Sequence, residues 1–428
     1  MITGKANLSR RLCLFVAFLV VGQVRSYIAG EDLAERARRI HKAAIVVDTH
    51  LDLPMKLRQK WADLSLRGAT AHFDIPRARE GGLTTPFFAI YVPASFAEAG
   101  GAVKEALELI DMINLVVSSH SSDLEAAASA ADIRRIKKLD KIAVLMGLEG
   151  GHIIEDSLGA LRDLYRLGAR YMTLTHFNSN HWADSSGESW LPDYDPKKTQ
   201  LHNGLTDFGR AVVREMNRMG MMVDISHASD ETIDDVLAVS RAPIFASHSS
   251  CRVFSNVPRN LNDDQIRRIA KTGGVVMINF SSYFLDQKVV DATDADVAKI
   301  RPEYERLKKQ FADDPRRRNE AIEKLLGEQP FYQTSWTTVV DHIEHVIKVA
   351  GPDAVGLGTD FDGIDDPPEG LEDVSKLPKI TEELLRRGYS EDVVRKVLGE
   401  NFLEFFSRVE EVARSLSSEP PSTARIDR

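Results

Sequence analysis

Eight short apolar runs, separated by longer stretches with helical periodicity, constrain this chain more than any other feature. They fall at 44–47, 86–92, 142–148, 171–174, 221–225, 243–246, 274–280 and 354–357. Their near-continuous hydrophobicity predicts strands covered on both faces, as in a parallel sheet under helices. Helical patterns at 102–117, 157–167, 205–219, 229–239, 263–271 and 336–350 lie between or after them. Thr206 and Ser229 sit where caps start helices, and Gly168, Gly220, Gly273 and Gly351 follow helix ends. Repeated βα units with eight strands predict one closed α/β barrel, the TIM (β/α)8 fold of the metal-dependent hydrolase type, with inserted helices. A chain of 428 residues accommodates one such barrel with insertions. The expected catalytic domain spans 36–412, with a charged insertion at 286–333 carrying helices at 303–311 and 318–326. These are expected to lie solvated over the barrel rim. Final helices at 382–387 and 391–409 are expected on the barrel's outside, and the Ser/Pro-rich tail, 413–428, is expected to be flexible.

The N-terminus has a different character. Lys5, Arg10 and Arg11 precede an apolar run at 12–22, which reads as a signal peptide over 1–26 with cleavage expected after Ser26. Export to a periplasmic or extracellular space follows, with an uncleaved anchor as the alternative. Cys13 lacks the small residues that precede a lipid-modified cysteine. Without the signal only Cys251 remains, so the fold must hold without an internal disulfide, and a lone cysteine among serines reads as packing rather than a nucleophile. A net charge of −9 excludes nucleic acid as a partner, since the basic clusters at 135–138 and 316–318 read as solvated helix surface.

Chemistry concentrates at the ends of the runs. In an α/β barrel the residues at the carboxyl ends of strands share one mouth. His50 and Asp52 are two apart after the first run, a spacing that projects both to one side of extended chain. Glu149 ends the third run before Gly150 and Gly151, and a carboxylate there can bridge two cations. His227 and His248 follow the fifth and sixth runs and are suitable neutral nitrogen ligands for zinc. Asp360 follows the eighth, placed as a general base, with Asp362 as its neighbour. The glycines of Gly356-Leu-Gly-Thr do not fit the dinucleotide fingerprint. His342 and His345, three apart, read as a surface helix rather than a zinc motif. His152 reads either as support for Glu149 or as a local turn contact. The stretch 178–203, with Trp182, Trp190 and Tyr194, reads as a pocket wall or as aromatic packing.

The segments VVDTHLDLP, HFDIPRAREGG, GLEGGH, RYMTLTH, ISHAS, FASHSS, PRN and GLGTDFDG together resemble the membrane (renal) dipeptidases, peptidase family M19, a metallopeptidase branch of the amidohydrolase-type barrels. The resemblance runs from His41 to Arg408, the 286–333 insertion excepted. It implies two Zn2+ per subunit, with His50 and Asp52 on one ion, His227 and His248 on the other, and Glu149 bridging. It further implies a water between the ions as nucleophile, Asp360 taking its proton and passing it to the leaving amine. His176 would polarise the scissile carbonyl, and Arg259 would pair with the substrate's terminal carboxylate. The implied substrates are dipeptides with a free C-terminal carboxylate, carrying an L- or D-residue on that side, and the implied assembly is a homodimer. A related binuclear hydrolase acting on lactones or N-acyl amino acids is the alternative, and Arg259 discriminates between the two. A non-catalytic binding protein would have lost a ligand or Asp360, and all are present. The chain differs from the animal members in lacking their disulfide cysteines and the C-terminal hydrophobic tail for a lipid anchor.

Overall fold

The computed structural model describes residues 32–426, so the signal segment 1–26 lies outside the described residues. In chain order the strands are β1 (Val47–Leu51), β2 (Thr85–Tyr91), β3 (Leu124–Ala126), β4 (Ile142–Glu149), β5 (Ala169–Thr173), β6 (Met222–Asp224), β7 (Ile244–Ala246), β8 (Val275–Ile278) and β9 (Val355–Leu357). Every pairing between them is parallel, and neighbours run β2-β1-β9-β8-β7-β6-β5-β4. The β2–β4 pairing closes the ring, giving the eight-stranded α/β barrel the runs predict. β3 is an addition the sequence reading lacks: it pairs only with the start of β4, outside the ring.

The first strand lies further along than expected. Residues 44–46 lead out of the helix Leu33–Ala43, and β1 starts at Val47, so His50 is inside the strand rather than beyond it. Polar Asp48, Thr49 and His50 resemble a strand end in sequence, yet all three are fully buried. Asp48 accepts from the backbone N–H and hydroxyl of Thr359, at 2.9 and 2.6 Å, which satisfies the buried carboxylate and ties β1 to the chain after β9.

The base of the barrel is sealed by aromatics. Phe402, Phe405 and Phe406 lie on the helix Asn401–Ser415 at spacings that put them on one face. They pack with the barrel-lining Phe87, Tyr171 and Phe245, with ring centroids 5.3 Å apart for Phe87–Phe402 and 5.0 Å for Phe245–Phe405. This helix therefore plugs the barrel rather than lying on its outside, because the aromatic stripe needs more cover than an outer surface offers. Each fully buried ring contributes roughly 1.5–3 kcal/mol.

The insertion departs from its sequence reading in two respects: its first helix starts earlier, and that helix is partly buried, with Tyr304 and Leu307 covered rather than solvated. Its first helix spans Gln287–Gln310 and runs through Pro302, starting well before 303, while the second is Pro315–Gly327. Val289, Val290 and Val297 are buried along the early part, packing that outweighs the proline's lost hydrogen bond. Further along, the Tyr304 hydroxyl donates to Asp193 at 2.7 Å and Lys308 pairs with the same carboxylate, fastening the insertion to the 178–203 stretch. His342 is fully buried, unlike the surface helix expected for it: its Nδ1 accepts from the backbone N–H of Cys251 and its Nε2 faces the Leu285 carbonyl. Cys251 is buried beneath it, and burial pushes its thiol pKa up, as suits packing rather than nucleophilic attack. Near the C-terminus, Ser422 donates its N–H to Glu215 and accepts from Arg162 through its carbonyl, and Ile426 packs on the core. No helix among the described residues is long and apolar enough to cross a membrane.

Candidate metal centre

Parallel register brings the strand ends level. Tyr91 pairs with Glu149, Glu149 with Thr173, and Thr173 with Asp224, so successive strands finish at one height. Around that rim the structure gathers all six strand-end candidates. Glu149 lies at the centre: Oε2 is 3.4 Å from His50 Nε2, while Oε1 is 3.1 Å from His227 Nε2 and 3.4 Å from His248 Nε2. Asp52 and Asp360 approach His50 Nε2 at 3.5 and 4.0 Å. Three groups share these atoms: His50, Glu149 and His248; Glu149, His176 and His227; and His50, Asp52 and Asp360. Within each group the ligand atoms all lie within 4.8 Å of one another.

The local chain conformation is unusual where it must aim a side chain inward. His227 and Asp360 have φ of 65° and 63°, in the left-handed region that non-glycine residues seldom occupy. Gly363 must lack a side chain, because a Cβ there would lie 2.2 Å from an Asp52 oxygen and 2.8 Å from an Asp360 oxygen. Asn279 Nδ2 donates to Asp360 Oδ2 at 2.9 Å, and its own Oδ1 accepts from the Ser281 N–H, which fixes the amide's orientation. Behind His248, Ser247 donates its hydroxyl to Asp224 and faces His248 Nδ1 at 2.6 Å. Ser247 Oγ is thereby the acceptor for Nδ1–H, which leaves Nε2 as the nitrogen turned to Glu149.

This centre fits a cation. His50 Nε2 is fully buried and has no hydrogen-bond partner, although three carboxylates surround it. His227 and His248 turn their Nε2 atoms toward each other at 2.9 Å, beside the same Glu149 oxygen. Burial, followed by the Arg259 charge for His227 and the His50 charge for His248, pushes both pKa values well below 6.5, so each is a neutral imidazole of the kind metals bind. Burial alone would lower the His50 pKa. The Tyr171 hydroxyl and the Glu149 and Asp52 carboxylates reverse this and push it well above 6.5. A proton there is what an arriving cation displaces. Burial, reinforced by Asp52 and Glu149 against His50, pushes the Asp360 carboxyl well above its usual range.

The remaining predicted residues flank this cluster. His176 has its Nε2 3.7 Å from Glu149 Oε1, and burial holds its pKa at about 4. Arg259 is 3% exposed, and its hydrogen bonds end on neutral acceptors, Ser249 Oγ at 2.5 Å and the His248 carbonyl at 2.7 Å. Its Nε has no partner, and Phe284 lies under the guanidinium at 5.5 Å. Burial lowers its pKa to about 10, leaving it charged. Trp190 packs against Phe177, Tyr283 and Phe284 as an aromatic wall, whereas Trp182 is fully buried in the core. His152 holds the Val92 carbonyl after β2 at 2.9 Å. Asp362 braces His72, accepting its backbone N–H at 2.9 Å. The sequence reading did not single out Tyr171, Asn279 or Asp224. Of these, only Asp224 carried a signal, a carboxylate closing an apolar strand two residues before a serine and three before His227.

The need for a cation at the mouth of an α/β barrel places the protein among metal-dependent barrel enzymes. The sequence profile of the membrane dipeptidases (Peptidase family M19) matches residues 34–420, and the chain belongs to that family. It is therefore a metallodipeptidase. Among solved structures it resembles the probable dipeptidase PvdM from Pseudomonas aeruginosa, at 26% identity over 89% of this chain and 99% of that one, with a TM-score of 0.73. It is also similar to the dipeptidase AC, a metallopeptidase of family M19, at 27% identity over 86% and 98% of the two chains, with a TM-score of 0.69. A third is a metallopeptidase from Rhodobacter sphaeroides liganded with a phosphinate mimic of the dipeptide L-Ala-D-Ala, at 27% identity over 86% and 99%, with a TM-score of 0.68.

Proposed function

We propose that the protein is a zinc dipeptidase that hydrolyses dipeptides bearing a free C-terminal carboxylate, with two zinc ions per subunit. His50 and Asp52 would hold one ion, His227 and His248 the other, and Glu149 would give one oxygen to each. The metals, when bound, supply Lewis acidity at the scissile carbonyl and acidify water. The observation that carries the substrate assignment is Arg259, a buried guanidinium whose hydrogen bonds end on neutral acceptors beside His248. Guanidinium geometry suits a carboxylate, and a clamp of that kind excludes peptides whose chain continues. The mimic bound by the Rhodobacter sphaeroides relative, a phosphinate of L-Ala-D-Ala, supports extending the substrates to a D-residue on the carboxyl side.

The chain's own groups then divide the work. Arg259 binds and orients the substrate. His176, neutral in its buried setting, can donate an N–H to the carbonyl oxygen as negative charge develops there. Asp360 accepts the proton of the attacking water and delivers it to the departing amine as the C–N bond breaks, oriented by Asn279. On the 1–26 segment and the family resemblance we also propose export and a homodimer.

A panel of L-L, L-D and D-L dipeptides, with N-acetylated and amidated forms, tests this reading. Cleavage confined to free-carboxylate dipeptides, abolished by chelation, is expected. Arg259→Ala should raise KM about 10- to 100-fold, the worth of a lost charged hydrogen bond. No cleavage by protein shown to hold two metals would reject the reading and favour lactones or N-acyl amino acids.

A further inference from the structure

Tyr171 connects the apolar filling of the barrel to the metal centre. Its ring packs with Phe87 and Phe245, at centroid distances of 5.4 and 5.5 Å, and is fully buried. Its hydroxyl reaches upward and donates to the Thr49 carbonyl at 3.0 Å. A phenol has one proton, and that proton is committed to Thr49. At 2.8 Å from His50 Nδ1, the same oxygen is thus left to accept, so Nδ1 must carry hydrogen. The other ring nitrogen, Nε2, is the orphaned atom among Glu149, Asp52 and Asp360.

A glycine makes this reach possible. A Cβ on Gly147 would fall 1.9 Å from the Tyr171 Cζ and 2.2 to 2.3 Å from its Cε atoms. No rearrangement of a flexible side-chain end relieves that overlap, since the obstruction is a ring locked among other rings. Gly147 in β4 is thereby the notch through which the phenol crosses from β5 toward β1. The other side of the centre has separate backing that does not involve Tyr171. His248 rests on the Ser247–Asp224 pair, and His227 Nδ1 has no partner.

We propose that Tyr171, seated in the Gly147 notch, is a positioning residue that fixes the ring orientation and tautomer of His50, and so sets the affinity of one metal position and not the other. This rests on the two-ion reading of the centre. Outer partners of metal-binding histidines typically change affinity by about 10- to 100-fold when removed.

The test uses full-length holoprotein carrying Tyr171→Phe, which keeps the ring in its notch and removes only the oxygen. Zinc is titrated away with a chromophoric chelator, with circular dichroism and the melting curve as checks of folding. One equivalent of zinc is expected to be held about 10- to 100-fold more weakly than in wild type, with the second unchanged. Excess zinc should then restore kcat with KM unaltered. Gly147→Ala should reproduce the selective loss if it folds, by displacing the same hydroxyl. Two equivalents held as tightly as in wild type, or both weakened equally, would overturn the proposal. A wild-type protein holding one zinc would instead sink the two-ion reading, and the response of that single ion to Tyr171→Phe would still decide the role of Tyr171.

Discussion

The two ends of the barrel are built on opposite principles. At the base, Phe87, Phe245, Phe402, Phe405 and Phe406 fill the interior with rings in edge or tilted contact. At the mouth, Asp52, Glu149 and Asp360 crowd around His50, and His227 and Asp360 occupy left-handed backbone conformations. The base buries apolar surface and leaves little undone. The mouth buries like charges and unpartnered nitrogens, arrangements that cost stability unless a cation joins them. Stability is thus concentrated at one end and chemistry at the other, the usual exchange in enzymes whose sites are strained.

Altering the mouth should show the contrast most strongly. Glu149→Gln removes the carboxylate shared by four imidazoles. Dipeptide hydrolysis is expected to fall to the level of chelated wild type while the variant stays folded at the assay temperature, because the aromatic base is untouched. Loss of the folded state at the assay temperature, read by circular dichroism, would break the comparison.

The converse change belongs at the base. Phe402→Ala should cost about 3–5 kcal/mol, the usual range for emptying a buried aromatic site. Denaturant unfolding would read this as a lower midpoint, with kcat per folded molecule preserved. A large fall in kcat at full occupancy of the folded state would mean that the two ends are not separable.

A smaller effect sharpens the picture by separating protonation in the scaffold from protonation at the site. His41 bonds Thr381 Oγ1 and the Gly81 carbonyl at 2.8 and 2.7 Å, and burial lowers its pKa to about 4. His342 is likewise held at about 4, chiefly by burial. Between pH 6.5 and 4 the unfolded chain takes up protons that the folded chain refuses. Their stabilisation is therefore complete above pH 6.5 and is lost as pH falls toward 4, by about 3 kcal/mol for each group at 1.36 kcal/mol per pKa unit. His41→Gln should flatten that limb of the stability curve and leave the rate at neutral pH unchanged. An unaltered acid limb would show that His41 is not one of its sources.

The candidate site was more legible than the fold that carries it. Metal-binding residue types at the ends of apolar runs marked His50, Asp52, Glu149, His227, His248 and Asp360, and the structure gathers them. The family's short segments added His176 and Arg259, which flank them. Element boundaries were less legible: β1 begins at Val47 because buried polar residues at a barrel mouth satisfy one another, and no local pattern distinguishes them from an exposed strand end. The helix Gln287–Gln310 runs through Pro302 because its earlier valines find cover in the tertiary structure. Tyr171 escaped notice because a tyrosine in an apolar strand looks like core.

The sequence by itself determined the periodic βα pattern, the barrel class and the ligand chemistry, because these depend on residue type and local spacing. Only the tertiary structure decided that Glu149 turns one oxygen to His50 and the other to His227 and His248, that Phe402 plugs the base, and that Gly147 opens the way for Tyr171 to reach His50. Each is a contact between residues far apart in the chain, fixed by strand register and ring closure.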